Sequence, residues 1–172
     1  MMIRMAGVAG DSIVDGPGIR TAYFCQGCPH HCDGCHNPET WDFAGGTPVD
    51  TAELADIARR NPLCRGVTFS GGEPFAQPEG FAELADLLKQ DGYEIASYTG
   101  YTFEHLRDSG TPAQQGLLRR LDVLIDGPFV LAQRSLDLVF RGSANQRIID
   151  VPRSLASGEV IPAPARWQGE YL

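Results

Sequence analysis

The chain has 172 residues, 42% of them hydrophobic, which is enough for a single domain with its own core and no disulfide support. Fourteen Lys and Arg against twenty-two Asp and Glu give a net charge of −8, which argues against a phosphate-backbone partner, so no nucleic acid is expected as a ligand. Met1 to Gly7 lack the apolar run of a signal peptide, and no later segment reads as a bilayer span, so a cytoplasmic location away from membranes is expected.

Asp15-Gly16-Pro17-Gly18 carries turn residues at each position and leads into a strand over Ile19 to Phe24, rich in β-formers. That strand delivers Cys25 and a loop with further cysteines at Cys28, Cys32 and Cys35. In a reducing compartment such clustering points to metal ligation, with the remaining Cys64 read as a small core residue. Taken as C-x2-C-x3-C-x2-C, the loop allows a four-cysteine zinc site, although zinc ribbons place a longer loop between their pairs. A bacterial ferredoxin loop reads C-x2-C-x2-C-x3-C-Pro, which differs from this one. Taken as Cys28-x3-Cys32-x2-Cys35, it offers three thiolates to a cluster that ordinarily takes four, which leaves one iron open for chemistry. Just after the loop, His36 is a candidate for metal or ligand contact, while Trp41 and Phe43 read as packing anchors.

Asp50, with Glu53 three residues on, forms a capping-box pattern ahead of a helix over Thr51 to Arg60. Gly66 to Ser70 is a short buried strand running into Gly71-Gly72-Glu73-Pro74, where two glycines permit close backbone approach and Glu73 can pair with a cation. An apolar helical face lies between Pro78 and Asp91, and a third strand, Tyr93 to Tyr98, ends at Thr99-Gly100. Helices over Thr102 to Ser109 and Ala113 to Arg120 precede a fourth strand, Leu121 to Ile125, which ends at Asp126-Gly127-Pro128. Alternating strands and helices predict an α/β fold with a mainly parallel sheet, too short for a closed eight-stranded barrel and therefore a partial, open one. The C-terminal ends of parallel strands share one face, so the cysteine loop, Gly71 to Pro74, Thr99 and Asp126 are expected to meet around one cofactor.

Leu136 to Phe140 is a candidate further strand, and Arg141 to Arg147 is a polar loop whose two arginines either grip a carboxylate or a partner's surface or lie in a solvated turn. Residues 152–172, rich in Pro, Ala and Gly, read as a loosely attached tail on the single domain.

The cysteine loop followed by Ser70-Gly71-Gly72-Glu73-Pro74 resembles the radical S-adenosylmethionine glycyl-radical-enzyme activases. Asp15-Gly16-Pro17-Gly18-Ile19-Arg20, Gln26-Gly27-Cys28 and Cys35-His36-Asn37-Pro38-Glu39-Thr40-Trp41 extend that resemblance. Asp126-Gly127-Pro128-Phe129 and Arg141 to Arg147 are similar to segments of the small anaerobic ribonucleotide reductase activases. The resemblance implies that Cys28, Cys32 and Cys35 hold a [4Fe-4S] cluster whose open iron chelates S-adenosyl-L-methionine. It further implies that Gly71, Gly72, Glu73 and Pro74 meet the methionyl group, with Gly34 and His36 near the adenine. One electron would then release a 5′-deoxyadenosyl radical, which takes a hydrogen atom from a glycine of the partner enzyme. The implied partners are a glycyl radical enzyme, foremost anaerobic ribonucleotide reductase with a pyruvate formate-lyase-like enzyme as the alternative, and a low-potential flavodoxin or ferredoxin as electron donor. Gly34 stands where many such enzymes carry an aromatic residue, which points to the reductase activases. Cys25 lies outside the family triad.

Overall fold

The computed structural model describes residues 1–169. Its framework is one seven-stranded sheet, in chain order β1 (Met2–Ser12), β2 (Arg20–Cys25), β3 (Thr47–Asp50), β4 (Gly66–Gly71), β5 (Glu94–Tyr98), β6 (Val123–Asp126) and β7 (Arg147–Asp150). The spatial order is β3-β1-β2-β4-β5-β6-β7. The four central strands, β2, β4, β5 and β6, run parallel; β1 pairs antiparallel with β2, β3 pairs antiparallel with β1, and β7 pairs antiparallel with β6. The sheet ends at β3 and β7 without closing, the open α/β arrangement that strand–helix alternation leads one to expect.

The crossovers are α1 (Thr51–Arg59), α2 (Pro78–Gln90), and the pair α3 (Phe103–Ser109) and α4 (Pro112–Arg120); α5 (Val151–Ser157) follows β7. Each of the longer three starts on a local signal. The Asp50 carboxylate accepts from Ala52 N at 2.9 Å, Pro78 and Pro112 occupy first-turn positions, and Thr111 with Gln114 closes a reciprocal capping box. The helices pack side by side, α1 on α2, α2 on α4 and α4 on α5, and cover one face of the sheet.

Strand alternation divides the sheet residues between two cores. Tyr23, Cys25, Val67, Phe69, Ile95 and Leu124 join Leu54, Phe81 and Leu84 beneath the helices, and Tyr23 Oη donates to Leu54 O of α1 at 2.7 Å. Ala96, Val123, Ile125 and Ile148 form the second core, on the opposite face, together with Trp167.

Three expectations are corrected. The first strand is β1, ahead of Asp15; its Gly- and Ala-rich sequence hides it, and its extended form comes from pairing with β2 and β3 on either side. Leu136 to Phe140 forms no strand despite its alternation, since it finds no ladder partner and Leu136 is 92% exposed. From Pro152 onward, where composition suggests a loose tail, the described residues are packed. α5 leads to a bridge between Pro162 and Ile149, and then to Trp167, which is fully buried with the Arg20 guanidinium 5.0 Å over its ring. Residues 170–172 of that predicted tail lie outside the described residues.

Candidate functional site

All four loops singled out from strand ends leave the parallel strands β2, β4, β5 and β6 on one side. The loop after β2 is closed at its base by Gly27 N donating to Thr40 O at 2.7 Å and Cys28 N to Trp41 O at 3.3 Å. Between these points it coils tightly. His31 and Gly34 adopt left-handed φ angles of 49° and 76°, and Cys35 N donates to Cys32 O at 3.1 Å. The result is that Cys28, Cys32 and Cys35 all line one pocket of about 130 Å³, whose other walls include Gly71, Gly72, Thr99, Gly100 and Gly127. A second pocket of about 380 Å³ opens beside it, sharing Cys35, Gly71, Tyr98, Phe129 and Gln146 with the first and adding His36 and Arg141.

Gly71 and Gly72 are needed first for the protein itself. Gly71 has φ +92°, and a Cβ there would stand 2.5 Å from Cys25 N; one on Gly72 would stand 2.3 Å from Gly27 O. The double glycine is therefore the seat of the cysteine loop, fastened by Gly72 N to Cys25 O and Glu73 N to Gly27 O, each at 2.8 Å.

Cys25 and the triad separate cleanly. Alternation along β2 sends Cys25 to the helical face, fully buried among Tyr23 and Phe69, away from the pocket. All five cysteines are free thiols, and burial pushes those of Cys25 and Cys28 above the ordinary range. Cys64 is the buried core residue expected, and its Sγ donates to Gly66 O at 3.1 Å.

The remaining expected site residues divide into those that face the pockets and those that brace them. Thr99 lines the smaller pocket, and His36 lines the larger with its ring 5.3 Å from Phe129. Gly34 backs onto Leu131, which a Cβ would meet at 2.8 Å. Pro74 opens the short turn after Glu73 and is buried, and the Glu73 carboxylate turns inward with no exposed surface. Asp126 accepts from Phe103 N at 2.8 Å and from Arg147 Nε at 3.1 Å, while Arg147 also bridges to Glu104. Arg147 is thus spent on internal carboxylates. Arg141, which lines the larger pocket, donates to Gln146 O at 2.7 Å.

Tyr98, Phe129, Gln146, His30 and Trp41 also line the pockets, without having been singled out for that role by the sequence. Phe129 and Gln146 belong to segments quoted for the resemblance, but nothing in their residue types marks them. Gln146 ties its loop to the end of β6, donating to Gly127 O at 3.1 Å and accepting from Gly142 N at 2.8 Å. Trp41 stacks on His31 at 4.5 Å, and its buried Nε1 has no hydrogen-bond partner.

These residues suit an iron–sulfur cluster. The pocket offers an all-sulfur donor set from one loop, the ligand chemistry that iron–sulfur clusters take.

The family model described as a 4Fe-4S single cluster domain matches residues 14–149. An anaerobic ribonucleoside-triphosphate reductase-activating protein of Vibrio cholerae is 37% identical over 145 residues, covering 79% of this chain and 90% of that one. The chain belongs to this 4Fe-4S activating-protein family. The Escherichia coli protein of the same description is 33% identical over 143 residues, again spanning 90% of its relative. A pyruvate formate-lyase-activating enzyme of Clostridium pasteurianum is 42% identical over 109 residues, which is 60% of this chain and 46% of that enzyme. The family match takes in both the cysteine loop after β2 and the double-glycine turn after β4.

Proposed function

We propose that this chain is a radical S-adenosylmethionine activase in which Cys28, Cys32 and Cys35 hold a [4Fe-4S] cluster with one iron left for S-adenosylmethionine, and that it installs a glycyl radical on anaerobic ribonucleotide reductase. The observation that carries this reading is the division of the cysteines, three on one pocket and the fourth, Cys25, beneath the opposite face of the sheet. When bound, the cluster and S-adenosylmethionine supply the electron and the means to remove a hydrogen atom from a glycine of the partner.

The chain's own work is placement and exclusion of water. We assign backbone oxygens of Gly71 and Gly72, on the wall shared by the two pockets or beside it, to the methionyl end, with Thr99 lining the same smaller pocket while its hydroxyl donates to Glu73. His36 and Phe129 form the apolar and aromatic side of the larger pocket, where a nucleoside base can rest. Hydrogen-atom abstraction requires no general base. The electron donor we assign is a low-potential flavodoxin or ferredoxin. No helix among the described residues is long and apolar enough to cross a membrane, and we place the protein in the cytoplasm.

The reductase is preferred over a pyruvate formate-lyase-like target because the match spans 90% of the reductase-activating relative but 46% of the lyase-activating one. Anaerobic protein reconstituted with iron and sulfide, reduced in the presence of S-adenosylmethionine, is expected to yield 5′-deoxyadenosine and to raise a glycine-centred radical signal on anaerobic ribonucleotide reductase. Stoichiometric zinc with no 5′-deoxyadenosine would overturn the proposal in favour of a four-cysteine module. A radical signal on a pyruvate formate-lyase-like enzyme alone would reassign the partner.

A further inference from the structure

The bonds of the buried Glu73 carboxylate reach across three loops. Oε1 accepts from His30 Nε2 at 2.6 Å in the cysteine loop, and from Thr99 Oγ1 at 2.9 Å and Gly100 N at 2.7 Å in the loop after β5. Oε2 accepts from Phe75 N at 3.0 Å in its own turn. Each carboxylate oxygen has two lone pairs, so three donors crowd onto Oε1 while Oε2 keeps one acceptor position. The side chain nevertheless has no exposed surface and lines neither pocket, so it presents nothing to a cofactor ammonium.

His30 is the middle residue between Cys28 and Cys32, so whatever holds its ring holds the span between two of the three pocket thiols. The ring is gripped from three sides. Glu73 takes its Nε2, Tyr101 packs against it at 4.6 Å and nearly perpendicular, and Gly100 lies so close that a Cβ there would come within 2.4 Å of it. An exposed loop that must hold its cysteines at fixed separation thus has one side chain driven into the protein and tied to a buried anion.

We propose that Glu73 is a positioning residue: acting through His30, it fixes the cysteine loop to the loop after β5 and so sets the placement of Cys28 and Cys32, without contacting S-adenosylmethionine itself. The step from loop placement to cluster retention rests on the cluster reading given above; the strap between the loops does not.

The test is a double-mutant cycle on Glu73→Gln and His30→Ala, with His30→Gln as the conservative variant that keeps a donor. Amide hydrogen exchange over residues 28–35 is measured on the metal-free chain. Iron loss to a chelator and S-adenosylmethionine affinity are then measured after anaerobic reconstitution. Each single variant is expected to speed loop exchange and iron loss about tenfold, with the double variant no faster than either single one and His30→Gln recovering part of the loss. Affinity for S-adenosylmethionine is expected to stay within about twofold in protein that retains iron. Additive effects in the double variant, or a His30→Ala loop that exchanges like the parent, would overturn the proposal. So would a Glu73→Gln protein that keeps its loop and iron but loses the cofactor. If the parent takes up no iron, the cluster reading fails while the metal-free exchange cycle still decides the strap.

Discussion

Replacing Gly72 by alanine tests whether the double glycine seats the cysteine loop. The added Cβ would stand 2.3 Å from Gly27 O and 2.9 Å from Gly27 C, so the two segments must part by about 1 Å to reach ordinary contact near 3.5 Å. The bonds from Gly72 N to Cys25 O and Glu73 N to Gly27 O, both 2.8 Å, then stretch beyond useful length. Two backbone bonds at about 1 kcal/mol each, with about 1 kcal/mol or more of overpacking strain, give a loss of about 3 kcal/mol. Urea denaturation of the metal-free chain under anaerobic, reducing conditions reads that loss directly, and Gly10→Ala is the control, since its Cβ would meet nothing within 4 Å. Because a domain is typically stable by 5–15 kcal/mol, the variant is expected to fold, with a lowered midpoint and reduced iron uptake. An unfolding midpoint indistinguishable from that of the parent would refute the seating argument.

Cys28→Ala, Cys32→Ala and Cys35→Ala are each expected to lose bound iron and sulfide after reconstitution, whereas Cys25→Ala keeps both; equal losses in all four would return Cys25 to the ligand set. Trp167→Ala removes a fully buried ring from over Arg20 and from its edge contact with Phe140 at 5.6 Å, so a loss of about 4 kcal/mol and a melting temperature lower by roughly 10 °C are expected by calorimetry. A drop under about 2 °C would contradict the packed placement of that segment. A hydrogen bond from Arg147 holds the Glu104 carboxyl below the usual carboxylate range. A depressed carboxyl contributes stability that is present above its unfolded value, about 4.3, and is lost as pH falls through the lower folded value. Glu104→Gln is therefore expected to show a shallower loss of stability than the parent below about pH 4, and coincident acid limbs would rule that contribution out.

The parallel centre of the fold was readable because apolar runs such as Gly66 to Ser70 and Leu121 to Ile125 end in glycine-rich turns, and because strand ends in such sheets gather on one side. That rule alone assembled the cysteine loop, Gly71, Gly72 and Thr99 on one pocket. β1 escaped notice because Ala6, Gly7, Ala9 and Gly10 carry no strand signal of their own, and β3 because Pro48 breaks a short run that survives only as an edge strand. The roles of Glu73 and Asp126 were the least accessible. Their residue types announce a charge but not its direction, and both carboxylates are consumed by donors distant in sequence, His30 and Thr99 for one and Arg147 for the other. Composition also misjudged residues 152–169, where one tryptophan outweighs the surrounding Pro, Ala and Gly.

Arg20, at the start of a central strand, donates to Thr68 and Glu94 and has its remaining face roofed by an indole that arrives only at residue 167. During synthesis the strand emerges early and its roof late, so the guanidinium waits through most of translation without its final neighbour. Docking of that roof is the last of these contacts to become available, and contacts of such long sequence separation slow folding. Fusions placed shortly after Trp167 would burden that last step more than fusions ahead of Met1.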